Sequence, residues 1–318
     1  MASQPAPRPV ESAQLGEDDL ALWQALTVQL EQGLDRLPDK PEETAEATIR
    51  VLWQLAAGEP MSVQRAASWP LPASSVEARE RLGRLVRERL AGVPLAHLTQ
   101  RQTFMDVEML AGPEALIPRR ETELLGGAAV ALLRRLAEAN ADVIVVDACT
   151  GSGNLAAVLA LSESRAKVYA SDLSSEAVTL ARRNMAHLGV EKRVTLRVGD
   201  LLEPFDTDEL RGRVDLLTCN PPYISTGRMA AMPDEIVGHE PALAFDGGPL
   251  GIRILQRLIS EAPRLLRPGG WLAFEVGLGQ GPSVERRLLG SGDYGDVEPV
   301  ADAAGQTRAL LARRRQDP

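Results

Sequence analysis

The chain predicts an α/β fold in which a doubly wound, mostly parallel sheet follows a small N-terminal helical bundle. Short β-branched or apolar runs (Val143 to Asp147, Lys167 to Ser171, Arg193 to Val198, Val214 to Cys219) alternate with helical stretches. The first run passes through Ala148-Cys149-Thr150-Gly151-Ser152-Gly153 into the apolar helical stretch Leu155 to Leu161, the order of a strand, a tight glycine turn and a helix. Three of the runs end at acidic positions, Asp147, Asp172 and Asp200, and the fourth ends at Asn220-Pro221-Pro222-Tyr223.

In chain order, Asp18 to Leu34, Pro41 to Ala57 and Ser74 to Leu90 carry apolar residues at three- and four-residue steps and predict amphipathic helices. Pro38, Gly58-Glu59-Pro60 and Pro70-Leu71-Pro72 separate them. Gln102 to Ile117 turns extended and contains Gly112-Pro113, the pattern of a hairpin-like connector. The expected organisation is a tail over 1–16, a helical substrate-recognition bundle over 17–100, the connector over 101–120 and a catalytic domain over 121–318. Late in that domain, a crossover helix is expected around Ile252 to Leu266. Pro268-Gly269-Gly270 then turns into a strand Trp271 to Val276, and Gly277-Leu278-Gly279 leaves it. Tyr294 to Val300 and Gln306 to Arg313 predict an antiparallel pair at the sheet edge.

At 318 residues and 44% hydrophobic, the chain exceeds the usual size of a single core. No apolar run approaches the ~20 residues of a membrane span. Met1 to Val10 is rich in Pro and Ala, without the charged-then-apolar pattern of a signal peptide, so a cytoplasmic protein is expected. The net charge of −9, with a negative balance on either side of Leu110, opposes a large phosphate-binding surface and stable nucleic-acid binding. Arg79, Arg81, Arg84, Arg87 and Arg89, interrupted by Glu80 and Glu88, read as a solvated helix face. His97, His187 and His239 are scattered, and two cysteines are too few for a disulfide framework, so no metal is expected. Cys149 and Cys219 follow or end strands expected to be neighbours, either as two semi-buried thiols or as a redox-sensitive pair.

Asn220-Pro221-Pro222-Tyr223 is a strand-closing turn by composition alone. It is also a set of acceptors suited to a planar NH2 group. The Asn side-chain oxygen takes one N–H and the Pro221 carbonyl the other, while neither proline offers a competing donor. The glycine turn lacks both G-x-G-x-x-G and Gly-Lys-Ser/Thr, so neither a dinucleotide fingerprint nor a P-loop is present. Asp172 stands where a carboxylate can accept two ribose hydroxyls, and Asp200 with Leu201 where an adenine can lie.

The series Asp147, Gly151-Ser152-Gly153, Asp172, Asp200 and Asn220-Pro221-Pro222-Tyr223 resembles class I S-adenosylmethionine-dependent methyltransferases, and more narrowly the protein release-factor glutamine N5-methyltransferases. Leu116 to Glu123 and Glu240 to Gly248 are similar to segments of that family. The resemblance runs from about Ala91 to Arg313. It implies a seven-stranded Rossmann-like sheet and binding of S-adenosylmethionine, released as S-adenosylhomocysteine, by Asp147, Cys149, Thr150, Gly151, Ser152, Gly153, Asp172, Leu173, Asp200, Leu201 and Asn220. It also implies catalysis by Asn220, Pro221, Pro222 and Tyr223 on the Gly-Gly-Gln loop of a peptide-chain release factor. Two departures stand out: Cys149 replaces a glycine usual in the family, and Gly248-Pro249-Leu250-Gly251-Ile252 replaces Gly-x-Asp-Gly-Leu.

An amide nitrogen is a poor nucleophile because its lone pair is delocalised, so accepting both of its hydrogens and aiming it is the expected route to reaction. The motif holds no strong base, which suits a proton that leaves after methyl transfer, and Tyr223 is expected to form an aromatic wall. Alternatives are a DNA adenine N6-methyltransferase, an amide or amine N-methyltransferase of another protein or small molecule, and a binding protein on an inactive methyltransferase fold.

Overall fold

The computed structural model describes residues 15–316, so the stretch Met1 to Val10 and most of the expected tail lie outside the described residues. The chain forms two compact units, Met1–Gly112 with Asp234–His239, and Pro113–Pro233 with Glu240–Pro318.

The first unit contains α1 (Glu17–Gly33), α2 (Ala45–Ala56), α3 (Val63–Ser68), α4 (Val76–Leu90) and α5 (Leu95–Thr99). Thr44, Ser62 and Ser75 cap α2, α3 and α4 by accepting from the backbone N–H groups of Ala47, Arg65 and Ala78, each a donor without an intrahelical partner. Ile49, Leu52 and Trp53 of α2 pack with Leu30, Leu82 and Val86, and the Trp23 and Trp53 rings lie 5.8 Å apart. The proline segment after α3 is tied down by Gln54 Nε2 to the Pro70 carbonyl (2.8 Å) and Trp53 Nε1 to the Pro72 carbonyl (2.9 Å). The expected extended stretch is a hairpin of β1 (Arg101–Phe104) and β2 (Val107–Leu110), whose two-residue turn puts Met105 and Asp106 at φ 48° and 62°. It stops at Leu110 rather than running to Ile117, since Pro113 cannot donate to a ladder.

α10 (Asp234–His239) belongs to this unit although it is distant in sequence. Glu235 accepts from Lys40 Nζ and Arg89 Nη1, each at 2.8 Å, and Arg89 also reaches Glu43 at 3.1 Å. All four side chains are buried. Lys40 and Arg89 hold Glu235 below the usual carboxylate range against its burial, whereas burial raises Glu43. The arginine run of α4 is therefore not a solvated face throughout. Arg81, Arg84 and Arg87 are exposed, but the helical period turns Arg89 inward, and Arg79 pairs with Asp19 at 2.8 Å.

The second unit holds seven strands: β3 (Val143–Ala148), β4 (Ala166–Asp172), β5 (Val194–Val198), β6 (Val214–Cys219), β7 (Leu266–Glu275), β8 (Tyr294–Ala301) and β9 (Thr307–Arg314). Their order is β5-β4-β3-β6-β7-β9-β8, with the first five parallel and β9 antiparallel to both neighbours. This is the expected doubly wound Rossmann-like sheet with its antiparallel edge pair. The strand order reverses between β3 and β6, where a crevice opens at the carboxyl ends. Around the sheet lie α6 (Thr122–Ala139), α7 (Asn154–Ser162), α8 (Ser175–His187), α9 (Thr226–Met229), α11 (Arg253–Glu261) and α12 (Gly281–Ser291). Every residue of β6 is buried, as a central parallel strand covered on both faces requires. Phe205, Leu217, Leu258, Phe274 and Leu288 build the core on one face with Tyr294, whose hydroxyl donates to the Ile259 carbonyl at 2.9 Å.

Two expected boundaries shift. The crossover helix ends at Glu261 and a 3-10 turn, Ala262–Arg264, follows, because Pro263 lacks the N–H that an α-helix would need there. Pro268-Gly269-Gly270 lies inside β7 rather than before it. The ladder pairs Val214 with Leu266 and then Leu216 with Trp271, so the glycines accommodate an outward bulge, with Gly269 at φ 77°.

Removing the Glu235 carboxylate leaves buried Lys40 without its ion-pair partner and Arg89 with Glu43 alone. Glu235→Ala is expected to cost the first unit about 3 kcal/mol or more in urea unfolding followed by tryptophan fluorescence.

Candidate active site

The crevice is lined from the carboxyl ends of β3, β4, β5 and β6 and closed by the segments around Leu116 and Leu243 and by α11. Cys149, Thr150, Gly151, Ser152, Asp172, Leu173, Asp200, Leu201, Asn220 and Pro222 all line it. Asp147, Gly153, Pro221 and Tyr223 do not, and each has a position that explains why.

Asp147 sits beneath the glycine turn with no exposure. Its Oδ2 accepts from Thr150 Oγ1 at 2.5 Å and its Oδ1 from Thr218 Oγ1 at 2.7 Å. Burial pushes the carboxyl up to about 6 despite the two hydroxyls and the Ala156 amide, with the Asp172 charge adding to the rise. Asp147 thus acts on the cavity through the turn. Gly153 starts α7 at φ 83°, and a Cβ there would stand 2.8 Å from Met185 Cε and 3.1 Å from Ala181 Cβ, so its bareness serves packing against α8.

Cys149 and Gly151 adopt φ 56° and 55°, and a Cβ on Gly151 would meet nothing within 4 Å. The turn therefore presents open backbone to the cavity. Cys149 occupies a conformation that favours glycine, in keeping with the residue usual in the family. Ala148 pairs with Cys219 across β3 and β6, and Cys149 and Cys219 are both free cysteines. Burial and the Cys149 thiol raise Cys219 well above the ordinary thiol range.

Asp172 is fixed by two backbone amides, Gly151 N to Oδ2 at 2.8 Å and Ser174 N to Oδ1 at 3.0 Å. Burial raises its carboxyl, and those amides pull the other way. Each oxygen keeps a lone pair for a ligand donor, so the residue fits a ribose diol. Leu173 and Leu201 supply apolar surface beside it. Asp200 is not a free acceptor, because both of its oxygens take bonds from Arg257 Nη1, at 2.9 and 3.0 Å. Arg257 comes from α11 and was not among the expected site residues, although Arg253, Arg257 and Glu261 recur at four-residue steps on one helical face.

At the end of β6, Asn220 Nδ2 donates to Thr122 Oγ1 at 3.2 Å, the first residue of α6. Pro221 is buried behind the cavity wall. Tyr223 forms no aromatic wall, because its hydroxyl donates to Glu275 Oε1 at 2.8 Å and its ring joins the core. Burial and the Glu275 charge keep that phenol protonated far above neutrality. The loop after β6 returns over the motif: a Cβ on Gly247 would lie 2.7 Å from the Pro222 carbonyl oxygen, and one on Gly251, at φ 68°, would collide with that of Tyr223. Gln280 Nε2 donates to the Tyr223 and Gly251 carbonyls, both at 3.2 Å. Glu240 secures the opposite rim by accepting from Ile117 N at 2.9 Å and from Arg119. Thr122, Glu275 and Glu240 are site residues that neither periodicity nor composition singles out. Thr122 and Glu240 do fall in the two segments that carry the family resemblance. Among the described residues, no group of His, Cys, Asp and Glu could hold a metal ion, and no helix is long and apolar enough to cross a membrane.

Asp147 sets a pH dependence. Between its ordinary value of 3.8 and about 6 the folded chain holds a proton that the unfolded chain has lost, so stability falls as pH rises through this window. The full penalty, about 3 kcal/mol, applies above it. Asp147→Asn can still serve both threonines and is expected to flatten that slope when urea midpoints of the two proteins are compared from pH 4 to 7.

Over residues 139–277 the chain matches a family model described as a methyltransferase domain. It is 39% identical to a release factor glutamine methyltransferase of Moorella thermoacetica over 86% of this chain and 92% of that one. It is 34% identical to the Streptomyces coelicolor protein of the same name over 91% and 98%, and 38% identical to that of Gloeobacter violaceus over 73% and 79%. With the sheet order, the glycine turn and the Asn220 corner already matching the pattern, this chain belongs to the release factor glutamine methyltransferase family and is an S-adenosylmethionine-dependent methyltransferase.

Proposed function

We propose that the enzyme methylates the side-chain amide nitrogen of a protein glutamine, and that the acceptor is the glutamine of a Gly-Gly-Gln loop in a peptide-chain release factor, in the cytoplasm. The observation that carries this reading is Asn220 at the cavity wall with its NH2 group spent on Thr122, which leaves its carbonyl oxygen to accept from the substrate. A carbonyl of the Pro221–Pro222 pair takes the second N–H, and neither residue competes as a donor. The names carried by the relatives support the choice of acceptor.

The residues at the carboxyl ends of β3, β4 and β5 suit the cofactor. The open turn at Cys149 to Ser152 receives the methionine part, the Asp172 carboxylate the ribose hydroxyls, and Leu173 and Leu201 the faces of the base, with Asp200 at its edge. Once bound, S-adenosylmethionine supplies a sulfonium methyl and is left as S-adenosylhomocysteine. Asn220 and the proline carbonyl fix the plane of the amide and polarise its N–H bonds, and held orientation of this kind can contribute roughly 7–11 kcal/mol to a reaction between two bound groups. A methylated amide nitrogen is acidic, so its proton passes to water without a dedicated base. The first unit, with its buried acidic anchors, is assigned the role of holding the protein substrate.

Asn220→Ala is expected to lower kcat by about a hundredfold or more, with cofactor affinity within a few-fold of wild type. Asp172→Ala should instead weaken cofactor binding first, by roughly tenfold or more in calorimetry. Transfer of labelled methyl to purified release factors, a Gly-Gly-Gln peptide and duplex DNA, run side by side, tests the acceptor. Label on DNA alone would overturn the assignment, as would equal turnover by wild type and Asn220→Ala.

A further inference from the structure

We propose that Asp246 is a substrate-binding residue whose carboxylate accepts a backbone N–H from one of the two glycines that precede the methylated glutamine. This rests on the glutamine-methylation reading above and names the contact by which the same site recognises the chain around the target side chain. Glycines offer no side chain to grip, so recognition of Gly-Gly-Gln has to run through its peptide groups. An N–H that leaves water for a crevice wall needs an acceptor there.

Asp246 stands beside the Asn220 corner. Phe245 to Gly247 runs parallel to the chain just after Tyr223: Ile224 N donates to the Phe245 carbonyl at 3.0 Å, Gly247 N donates to the Ile224 carbonyl at 2.8 Å, and Ile224 and Asp246 form a parallel bridge. Half-buried, Asp246 lines the same crevice as Asn220 and Pro222. Its Oδ1 accepts from Thr226 Oγ1, at the start of α9, at 2.8 Å and from Gly248 N at 2.9 Å. Those two bonds hold the carboxylate in place and leave Oδ2 with neither a hydrogen-bond partner nor an ion pair among the described residues. The Thr226 hydroxyl and the Gly248 amide also keep the carboxyl below its usual range, and Arg253 adds to the effect, so the group is an ionised acceptor at neutral pH.

The other carboxylates that line the crevice are committed. Glu114 pairs with Arg183 at 3.3 Å, Asp200 takes its two bonds from Arg257, and Asp172 is held by the Gly151 and Ser174 amides at the turn assigned to the cofactor. The Asn220 oxygen and a proline carbonyl are assigned to the target amide. Asp246 Oδ2 is the charged acceptor that remains at this corner for the substrate backbone. A carboxylate makes a strong bond to a peptide N–H, and an anion here repels a phosphate, so one group favours a protein acceptor over a nucleic acid.

The test uses the full chain as wild type and Asp246→Asn at saturating S-adenosylmethionine. Methyl transfer is measured to a Gly-Gly-Gln peptide, to the same peptide with sarcosine (N-methylglycine) at its first or its second glycine, and to a release factor, alongside cofactor affinity by calorimetry and a thermal melt. Asparagine keeps an oxygen for Thr226 and Gly248 and places NH2 where Oδ2 was, so a purely structural role predicts unchanged turnover. The substrate contact instead predicts that Asp246→Asn lowers kcat/KM for peptide and release factor by about tenfold or more, while the melt and the cofactor affinity stay close to wild type. One of the two sarcosine peptides should lose about tenfold or more with wild type and no more than about threefold with Asp246→Asn, which has already given up that bond. If Asp246→Asn turns over peptide and release factor as wild type does, if neither sarcosine peptide loses activity with wild type, or if the sarcosine loss is as large in the variant as in wild type, the Asp246 contact is overturned and the glutamine reading stands. The sarcosine comparison on wild type alone decides the matter should the variant not fold. No methylation of peptide or release factor by wild type overturns the reading, and this inference with it.

Discussion

Two hydroxyls, from Thr150 in the glycine turn and Thr218 near the end of β6, donate to one buried carboxylate, Asp147. Through those bonds the turn after β3, proposed to receive the donor, and the strand that leads to Asn220 two residues beyond Thr218 share one support. A carboxylate suits this place because it accepts from both sides at once and cannot donate to either. Its burial makes the arrangement costly, which is why its carboxyl rises to about 6, yet the same low-dielectric setting strengthens each bond and limits movement between the halves. Separation of donor and acceptor in a methyl transfer tolerates little error, so rigidity here serves chemistry more than stability.

The other side of the Asn220 corner is shaped by absence of side chains. Gly247 and Gly251 let the returning loop lie against the Pro222 and Tyr223 carbonyls, and Gln280 bridges the Tyr223 and Gly251 carbonyls from behind. This geometry explains how the chain departs from the family at Pro249-Leu250 without disturbing the site. Leu250 is 75% exposed, whereas Gly251, the position that approaches the motif, is retained. The tolerance belongs to the solvent side of the loop and the constraint to its inner side.

Much of this was legible in the residues. The β-branched runs matched β3, β4, β5 and β6 to within a residue or two, since strands buried on both faces need continuous apolar sequence, while β7 begins five residues before the expected Trp271; the glycine turn and Asn220-Pro221-Pro222 marked where the crevice opens. What could not be read involves long-range pairing. Arg257 reaching Asp200, Glu235 closing on Lys40 and Arg89, and Thr122 meeting Asn220 join residues 57 to 195 positions apart, and no local periodicity encodes such partners. Tyr223 shows the same limit. An aromatic ring beside Asn220 suggests a wall, but the Glu275 carboxylate, 52 residues on, draws its hydroxyl toward the core. Helices α3 and α5, at 6 and 5 residues, are too short to show a hydrophobic period at all.

Cys149 and Leu201 are the two non-glycine residues with left-handed backbone that line the crevice, one at the turn after β3 and one just past the end of β5. Each such residue costs on the order of 1–2 kcal/mol relative to an ordinary conformation, so the fold must hold them there. In both cases a neighbouring strand does so. Ser171 Oγ of β4 donates to the Leu201 carbonyl at 3.1 Å, while the Ser171 carbonyl accepts from Thr150 N at 2.9 Å, next to Cys149. One residue of β4 thereby grips both bends. Left-handed backbone at a strand exit turns the chain across the sheet edge instead of onward into solvent, which is what lets the turns after β3 and β5 face the same crevice. At the first bend the Cys149 thiol stands next to Cys219, the residue that leads into Asn220, and adds to the rise of its pKa, at the point where Asp147 already joins the turn to β6.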